Sequence, residues 1–141
     1  MSYVLTPGQA GDSPQFKNVL DKVKVRGPVG RPRTRPDAVA ADKAYSSQAN
    51  RKELRRRKIK SVIPVKEDQK ANRKNKGARG GREYTFDEEL YKERNTVERL
   101  FNRVKDWRGL ATRYDKTPES YLGGLHLHGS IMWLRSILAA T

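Results

Sequence analysis

The clearest hydrophobic pattern in the chain lies in residues 91–105. Apolar side chains recur there at i, i+3, i+4 and i+7, a spacing that puts them on one face of an α-helix. We therefore predict one amphipathic helix over residues 91–105, with this face turned toward the core. The face consists of Val97, Leu100, Phe101 and Val104, and Trp107 continues it.

Polar side chains form a second line on the same predicted helix. At ~100° per residue, four of them fall along one edge of the apolar face. They are Tyr91, Arg94, Glu98 and Lys105. From spacing alone, the simplest interpretation is a solvated charged face in which Arg94 and Glu98 form an i, i+4 pair worth about 0.2–0.5 kcal/mol.

Short apolar runs predict three strands, over residues 1–5, 37–44 and 61–65. Pro64 marks the third as an edge strand or a strand end. Because a helix is expected between the last two strands, we predict that these two pair in parallel. The order of strands and helices indicates an α/β fold.

Helix start signals place two further helices. Ser13 is the expected N-cap of a helix with Pro14 at its first position. Ser46 or Ser47 is the expected cap of a helix over residues 48–58. Gly and Pro content indicates a loop over residues 27–36. Residues 66–82 have almost no apolar side chain, and we predict that they form a flexible basic loop. Both loops belong to a single predicted domain of residues 1–141.

The charge of the chain indicates the kind of partner that it binds. The net charge is +15, so the expected partner is a polyanion, and nucleic acid is favoured over an anionic membrane surface. Residues 51–82 hold fourteen Lys and Arg against three acids, more than ordinary surface dressing requires. The cations expected to contact DNA in this segment are Arg55, Arg56, Arg57, Lys70, Arg73, Lys74, Arg79 and Arg82.

The hydrophobic C-terminal stretch, residues 121–140, is about long enough to span a bilayer. It contains Arg135 and two histidines, and a central charge is costly in hydrocarbon, so we predict a buried helix of a soluble protein and no membrane contact. His126 and His128 lie at i, i+2 and point to different faces, which disfavours a zinc site. The chain has no cysteine, so thiolate metal sites are excluded.

The polar line has a closer interpretation. Tyr91-x2-Arg94-x3-Glu98-x6-Lys105 resembles the Y-R-E-K signature of bacterial insertion-sequence transposases of the DDE class, and residues 107–115 also resemble that family. The resemblance implies a ribonuclease H-like catalytic domain that cleaves and transfers DNA strands with Mg²⁺ or Mn²⁺. It makes Glu98 the third catalytic carboxylate, and it places Tyr91, Arg94 and Lys105 near DNA phosphates.

Asp42 is the second candidate ligand. It lies at the C-terminal end of a predicted strand, where active-site groups of open α/β sheets gather, although a structural role there is equally open. Residues 39–45 resemble the family's second-aspartate motif, which implies that Asp42 and Glu98 share a metal site. Residues 5–12 resemble a strand-to-helix corner of the same family. Metal-assisted phosphodiester chemistry uses two ions held about 3.5–4 Å apart by oxygen ligands.

The resemblance is incomplete, because the family's first aspartate lies on an upstream strand that has no counterpart here. We therefore expect a truncated ribonuclease H-like fold of about three strands, the C-terminal part of a catalytic domain, marginally stable and inactive alone. Its expected partners are transposon-end and target DNA, other transposase chains or an upstream reading-frame product, in the bacterial cytoplasm at the nucleoid. The alternatives are a basic nucleic-acid-binding protein without catalysis, and a transposase remnant that occupies transposon ends and acts as an inhibitor.

Overall fold

The computed structural model describes residues 1–139. Within them, one small sheet holds two strands, β1 (Ala38–Ala40) and β2 (Lys60–Val62). The strands are parallel, with Ala38 opposite Lys60 and Ala40 opposite Val62. Helix α2 (Gln48–Arg56) connects them. The prediction of parallel pairing is thus confirmed, and the mixture of helices with a parallel sheet is compatible with the predicted α/β class.

The core lies on one face of this sheet. It is formed by α1 (Phe16–Asp21), by α2 and by the residues that flank β2. The apolar side of α2 is short but fully covered, because Leu54 is 0% exposed. The buried members of this cluster are Phe16, Leu20, Leu54, Ile59 and Ile63.

The predicted caps were half right. Ser47 caps α2, since its hydroxyl accepts the Asn50 N–H at 3.2 Å. Ser13 is not a cap. It is the first residue of a 3-10 turn, Ser13–Gln15, that leads into α1, and Asp12 precedes that turn without a side-chain capping bond. Pro14 does lie in the first turn, as expected from its fixed φ.

The predicted strands were too long, and one of them does not form. β1 ends at Ala40, and Lys43–Tyr45 is a 3-10 turn. β2 ends at Val62, before Pro64, which cannot donate to a ladder. Residues 1–5 form no strand, and within the described chain they make no ladder hydrogen bonds. A strand is stable only when a neighbour satisfies its backbone groups, and no strand lies beside this segment.

The prediction of a loop over residues 66–82 was wrong. The segment contains α3 (Glu67–Asn75) and a 3-10 turn, Gly77–Gly80. Acids in the first turn of α3 and cations in its last turn complement the helix dipole, which explains a stable helix without an apolar face. Gln69 anchors the helix by accepting from the Ser46 hydroxyl at 2.8 Å and donating to its carbonyl at 2.9 Å.

The single helix predicted over residues 91–105 is two helices. α4 (Glu88–Lys92) is separated from α5 (Asn95–Asp106) by a tight turn at Glu93 and Arg94. The backbone there makes i to i−3 bonds, such as the 2.9 Å bond from the Arg94 N–H to the Tyr91 carbonyl.

The apolar face of α5 is also not buried. No residue of this helix is buried, and Phe101 is 61% exposed. Helix α5 packs mainly on α6 (Arg108–Ala111), which packs on α7 (Pro118–Leu138). The expectation that α5 faces the core was therefore wrong in this chain.

Helix α7 is likewise only partly covered. Leu125 and Gly129 are buried, while Leu134 on the far side is 60% exposed, so the prediction of a buried helix holds for one face only. Residue 140, the last of the predicted helix, lies outside the described residues. None of the described helices is long and apolar enough to cross a membrane.

Candidate active site and basic surface

Asp42 lies just beyond the C-terminal end of β1, as the sequence predicted. It is exposed, and it caps the following 3-10 turn through Oδ1, which accepts the Ala44 N–H at 2.7 Å. This bond is an ordinary N-cap interaction and orients the carboxylate. One carboxylate oxygen is committed to the turn, and the other remains available to a ligand.

Glu98 lies in the first turn of α5 and is exposed. Its Oε1 accepts a hydrogen bond from Arg94 Nη2 at 2.7 Å, the i, i+4 ion pair that the spacing predicts. Arg94 belongs to the tight turn before α5, and its Cζ lies 5.5 Å from the centre of the Tyr91 ring. The turn therefore brings three of the four signature side chains together.

The Arg94 guanidinium also feels the charge of Asp42. The pKa of Arg94 is raised by Tyr91 first, and then by the hydrogen bond and charge of Glu98 and by the charge of Asp42. Arg94 is thus hydrogen-bonded to Glu98 and within electrostatic range of Asp42. The fourth signature residue, Lys105, lies seven positions beyond Glu98 on α5, roughly 10 Å along the helix axis.

The side chains of Asp42, Tyr91, Arg94 and Glu98 form one corner of the molecule. Tyr45 links this corner to the core. Its ring packs against Phe16 with the centres 5.9 Å apart. Burial raises the pKa of Tyr45, and the nearby carboxylates of Asp12 and Asp42 raise it further. The sequence pointed to Tyr45 only as part of a motif, whereas the structure gives it a packing role beside Asp42.

The carboxylates of this corner are suitable ligands for a divalent ion, but they are too few to complete a metal site. Carboxylate oxygens are the ligands that Mg²⁺ prefers. Asp42 and Glu98 are two such groups, and one oxygen of each already accepts a hydrogen bond from the protein. Within residues 1–139, no group of three or more His, Asp or Glu side chains could hold a metal ion. An ion bound through Glu98 Oε1 would displace Arg94.

The cations of α2 differ in how free they are. Arg55 is exposed, whereas Arg56 and Arg57 are held by Glu53, which accepts from each of them at 2.7 Å. Arg57 also pairs with Asp21 of α1. The hydrogen bonds from Arg56 and Arg57 lower the pKa of Glu53 to about 2. These two arginines stabilise the packing of α2 before they meet any ligand.

The cations after β2 line α3 and the turn that follows it. Lys70 pairs with Glu67 at 2.7 Å, and Arg73 donates to the Gly81 carbonyl at 2.6 Å. Lys74, Arg79 and Arg82 are exposed. A helix, not a mobile loop, therefore presents these charges.

Arg51 is the residue that sequence reasoning missed. It was counted within the basic run, yet it is buried, with 6% of its surface exposed. The signal was its spacing, since Arg51 lies three positions before Leu54 and so shares the inner face of α2. Its hydrogen-bond partners are the Ser46 hydroxyl and the carbonyls of Ile63 and Pro64.

Comparison with known proteins gives consistent results. The family model of the transposase DDE domain matches residues 1–121. A relative described as a putative transposase for insertion sequence element IS6501, from Brucella ovis, is 32% identical over 130 residues, which cover 92% of this chain and 85% of that relative. No solved structure matches.

Proposed function

This chain belongs to the transposase DDE domain family, and on that premise we propose that it takes part in transposition by metal-dependent cleavage and transfer of DNA strands. The proposed fold is the ribonuclease H-like fold of that reaction. The observation that carries the proposal is the corner at which Asp42 and Glu98 both act on Arg94, with Tyr91 beside it.

In the proposed site, Asp42 and Glu98 hold Mg²⁺ or Mn²⁺. Bound there, the ion supplies positive charge that activates the attacking oxygen and stabilises the leaving oxygen of the phosphodiester. Arg94, Tyr91 and Lys105 would bind DNA phosphates beside such an ion. Without an ion, Arg94 neutralises the Glu98 carboxylate through their ion pair.

The site needs more carboxylates than this corner holds. We propose that a third is carried by a strand from another polypeptide segment, an upstream reading-frame product or a second transposase chain. Two features support a docking place for it. Within the described residues, β1 pairs on one edge only, and α5 leaves its apolar face uncovered. Such a strand would satisfy the backbone of β1 and cover Phe101.

DNA is the proposed substrate of the basic surface. Exposed arginines and lysines on α2 and α3 and in the residues after them bind phosphates irrespective of sequence. Arg55, Lys74, Arg79 and Arg82 are the freest of them, and Arg56, Arg57, Lys70 and Arg73 contribute from within intramolecular contacts. We propose that the reaction takes place in the cytoplasm at the nucleoid, where a basic surface of this kind meets DNA.

Metal binding tests the proposed site directly. Mn²⁺ is titrated into the chain and followed by electron paramagnetic resonance, for the wild type and for Glu98→Gln. A matched control is Glu89→Gln, which removes another exposed glutamate that forms an ion pair, with Lys92 on α4. We expect Glu98→Gln to weaken Mn²⁺ binding and Glu89→Gln to leave it unchanged. Identical titrations for all three proteins would show that Asp42 and Glu98 do not form a metal site.

A second candidate function is DNA binding without catalysis, as in a remnant that occupies transposon ends and inhibits the intact enzyme. It is favoured by the engagement of Glu98 with Arg94 and by the small number of carboxylates at the corner. The two functions differ in a competition assay. An inhibitor protects transposon-end DNA from an active transposase, and its effect does not change with Asp42→Asn.

A further inference from the structure

A buried arginine lies under the basic surface, on the inner face of α2. Arg51 makes all its hydrogen bonds through Nη2, to the Ser46 hydroxyl at 2.9 Å, the Ile63 carbonyl at 2.8 Å and the Pro64 carbonyl at 3.3 Å. Each acceptor is neutral. The guanidinium therefore has partners for part of its hydrogen-bonding capacity but none for its charge.

The rest of the guanidinium is unsatisfied. Nε is fully buried and makes no hydrogen bond, and within residues 1–139 no bond leaves from Nη1 and no carboxylate forms an ion pair with Arg51. Burial lowers the pKa of Arg51, which reflects the cost of a charge without a counter-ion. Buried charges in proteins are normally paired, and an unpaired one is strongly destabilising.

The side chain borders a pocket of about 290 Å³ between α2, β2 and the segment before α4. Tyr84 covers Arg51 from one side, with Cζ 4.2 Å from the ring centre. Arg55 and Ser61 also line the pocket, and the Ser61 hydroxyl is a second buried polar group without a partner. The pocket thus combines a buried cation, an exposed cation and a free hydroxyl.

The acids around the pocket do not neutralise it. Asp87 lines the wall but pairs with Lys60 at 2.7 Å and accepts the Leu90 N–H at 2.9 Å. Glu83 is exposed at the rim. Arg51 and Arg55 carry two positive charges against the single negative charge of Glu83, so the pocket keeps one net positive charge. It also keeps hydrogen-bond donors without acceptors, on Arg51 and Ser61.

We propose that this pocket binds a phosphate group, with Arg51 as the buried counter-ion, Arg55 as the second cation and the Ser61 hydroxyl as a further donor. A phosphate offers several strong acceptor oxygens and matches the guanidinium geometry. The phosphate belongs to the DNA backbone, an assignment that rests on the proposed function. This subsite is distinct from the proposed metal corner, since neither Asp42 nor Glu98 lines the pocket.

Inorganic phosphate is the probe for the site itself. It is titrated at constant ionic strength into the full chain labelled with ¹⁵N, and the amide signals of Ser61 and Tyr84 are followed. Arg55→Gln removes an exposed pocket cation, and Lys52→Gln removes an exposed cation of α2 that does not line the pocket. We expect phosphate binding to weaken about tenfold in Arg55→Gln, as for the loss of one charge-assisted hydrogen bond, and less than twofold in Lys52→Gln.

Arg51→Met tests the buried member. We expect phosphate binding to be lost while the circular dichroism spectrum stays that of the wild type. If this variant unfolds, the comparison of Arg55→Gln with Lys52→Gln still tests whether the pocket binds phosphate. Phosphate that leaves the Ser61 and Tyr84 signals unmoved, or that binds Arg55→Gln and Lys52→Gln equally well, would overturn the site.

A second arm identifies the source of the phosphate. Fluorescence anisotropy measures duplex DNA binding by the same variants, with and without inorganic phosphate at constant ionic strength. We expect phosphate to weaken DNA binding by the wild type and by Lys52→Gln, but not by Arg55→Gln. If phosphate binds the pocket without competing with DNA, the ligand is a free phosphate and the DNA assignment is wrong. None of these results depends on Glu98 or on metal, so the proposed catalytic function is tested separately.

Discussion

Helices α2 and α5 are both amphipathic, yet only α2 buries its apolar side. Leu54 of α2 is completely buried against β2 and α1, whereas Phe101 of α5 is 61% exposed. The difference does not lie in the helices, since α5 has the longer and more regular stripe. It lies in the surface opposite each helix, because α2 has a sheet to cover and α5 has only short helical neighbours.

The two regions also differ in their electrostatics. The packing of α1 on α2 is reinforced by a connected set of charges in which Glu53 holds Arg56 and Arg57, and Arg57 reaches Asp21. In α5 the ion pair between Arg94 and Glu98 is local and links no second helix. The first region is thus held by core and charge together, and the second leaves the apolar face of α5 open to the proposed partner.

The largest expected effect comes from supplying that partner. We expect the chain alone to show no cleavage of transposon-end DNA with Mn²⁺, and a fusion that adds an upstream strand bearing an aspartate to cleave it. Residues of a metal site act as a unit, so the gain should be at least about a thousandfold. A gel assay of labelled transposon ends measures it.

The matched control for that fusion carries Asn in place of the added aspartate and should fold but not cleave. Hydrogen exchange on the same proteins should show slower exchange in α5 for both fusions. Cleavage by the chain alone that Asp42→Asn abolishes would mean that another carboxylate of this chain, such as Asp12, completes the site.

The second prediction concerns DNA binding by the basic surface of α2 and α3. If about six cations meet phosphates, log K should fall against log salt with a slope near −5, roughly a thousandfold loss between 50 and 200 mM salt. Fluorescence anisotropy with duplex DNA measures the slope. A slope near zero would mean that the surface does not bind the DNA backbone.

The third prediction contrasts the two helices directly. Leu54→Ala removes a fully buried side chain and should lower the free energy of unfolding by about 2–5 kcal/mol. Phe101→Ala removes an exposed side chain and should change it by less than about 0.5 kcal/mol. Urea denaturation followed by circular dichroism gives both values. A comparable loss in the two variants would show that α5 is covered in solution, by a second copy or by the chain itself.

The smallest expected effect is the pH dependence of the charges between α1 and α2. The pKa of Glu53 in the fold is about 2, below its ordinary value of 4.5, so its ion pairs stabilise the fold above that ordinary value. This stabilisation is lost as the pH falls from about 4.5 toward 2. Glu53→Gln should therefore lower stability at pH 7 and flatten its fall in acid.

Urea midpoints at pH 7 and pH 3 measure this effect. Glu89→Gln on α4, which removes an exposed ion pair that links no second helix, serves as the control and should leave the pH profile as in the wild type. Parallel profiles for the wild type and Glu53→Gln would show that Arg56 and Arg57 do not hold Glu53 in solution.

Much of the local structure could be predicted, and the errors have two opposite causes. Helix α2 and its cap Ser47 were confirmed, and so was the parallel pairing of β1 and β2. Residues 1–5 have strand composition, yet they form no ladder, because pairing is a property of two segments and their partner does not lie beside them. Helix α3 was missed for the opposite reason, since charge placement and two bonds to Ser46 stabilise a helix that no apolar pattern announces.

The candidate site was also predicted only in part. Spacing placed Arg94 against Glu98, and the motif around Asp42 placed that residue at the end of β1, as the structure has them. Spacing could not show the turn at Glu93 and Arg94, which separates α4 from α5. Nor could it distinguish Arg51 from its neighbours, since a charge count is blind to burial.

The sequence by itself determined the family, the large positive charge, the position of helix α2 before β2 and the pairing of Arg94 with Glu98. These follow from motifs, composition and short-range spacing, which need no knowledge of the rest of the molecule. Only the tertiary structure decided which apolar faces are buried, that Asp42 and Glu98 both act on Arg94, and that Arg51 lacks a counter-ion. Burial, pairing and charge compensation all depend on what lies opposite a residue in space, and a linear pattern does not contain that information.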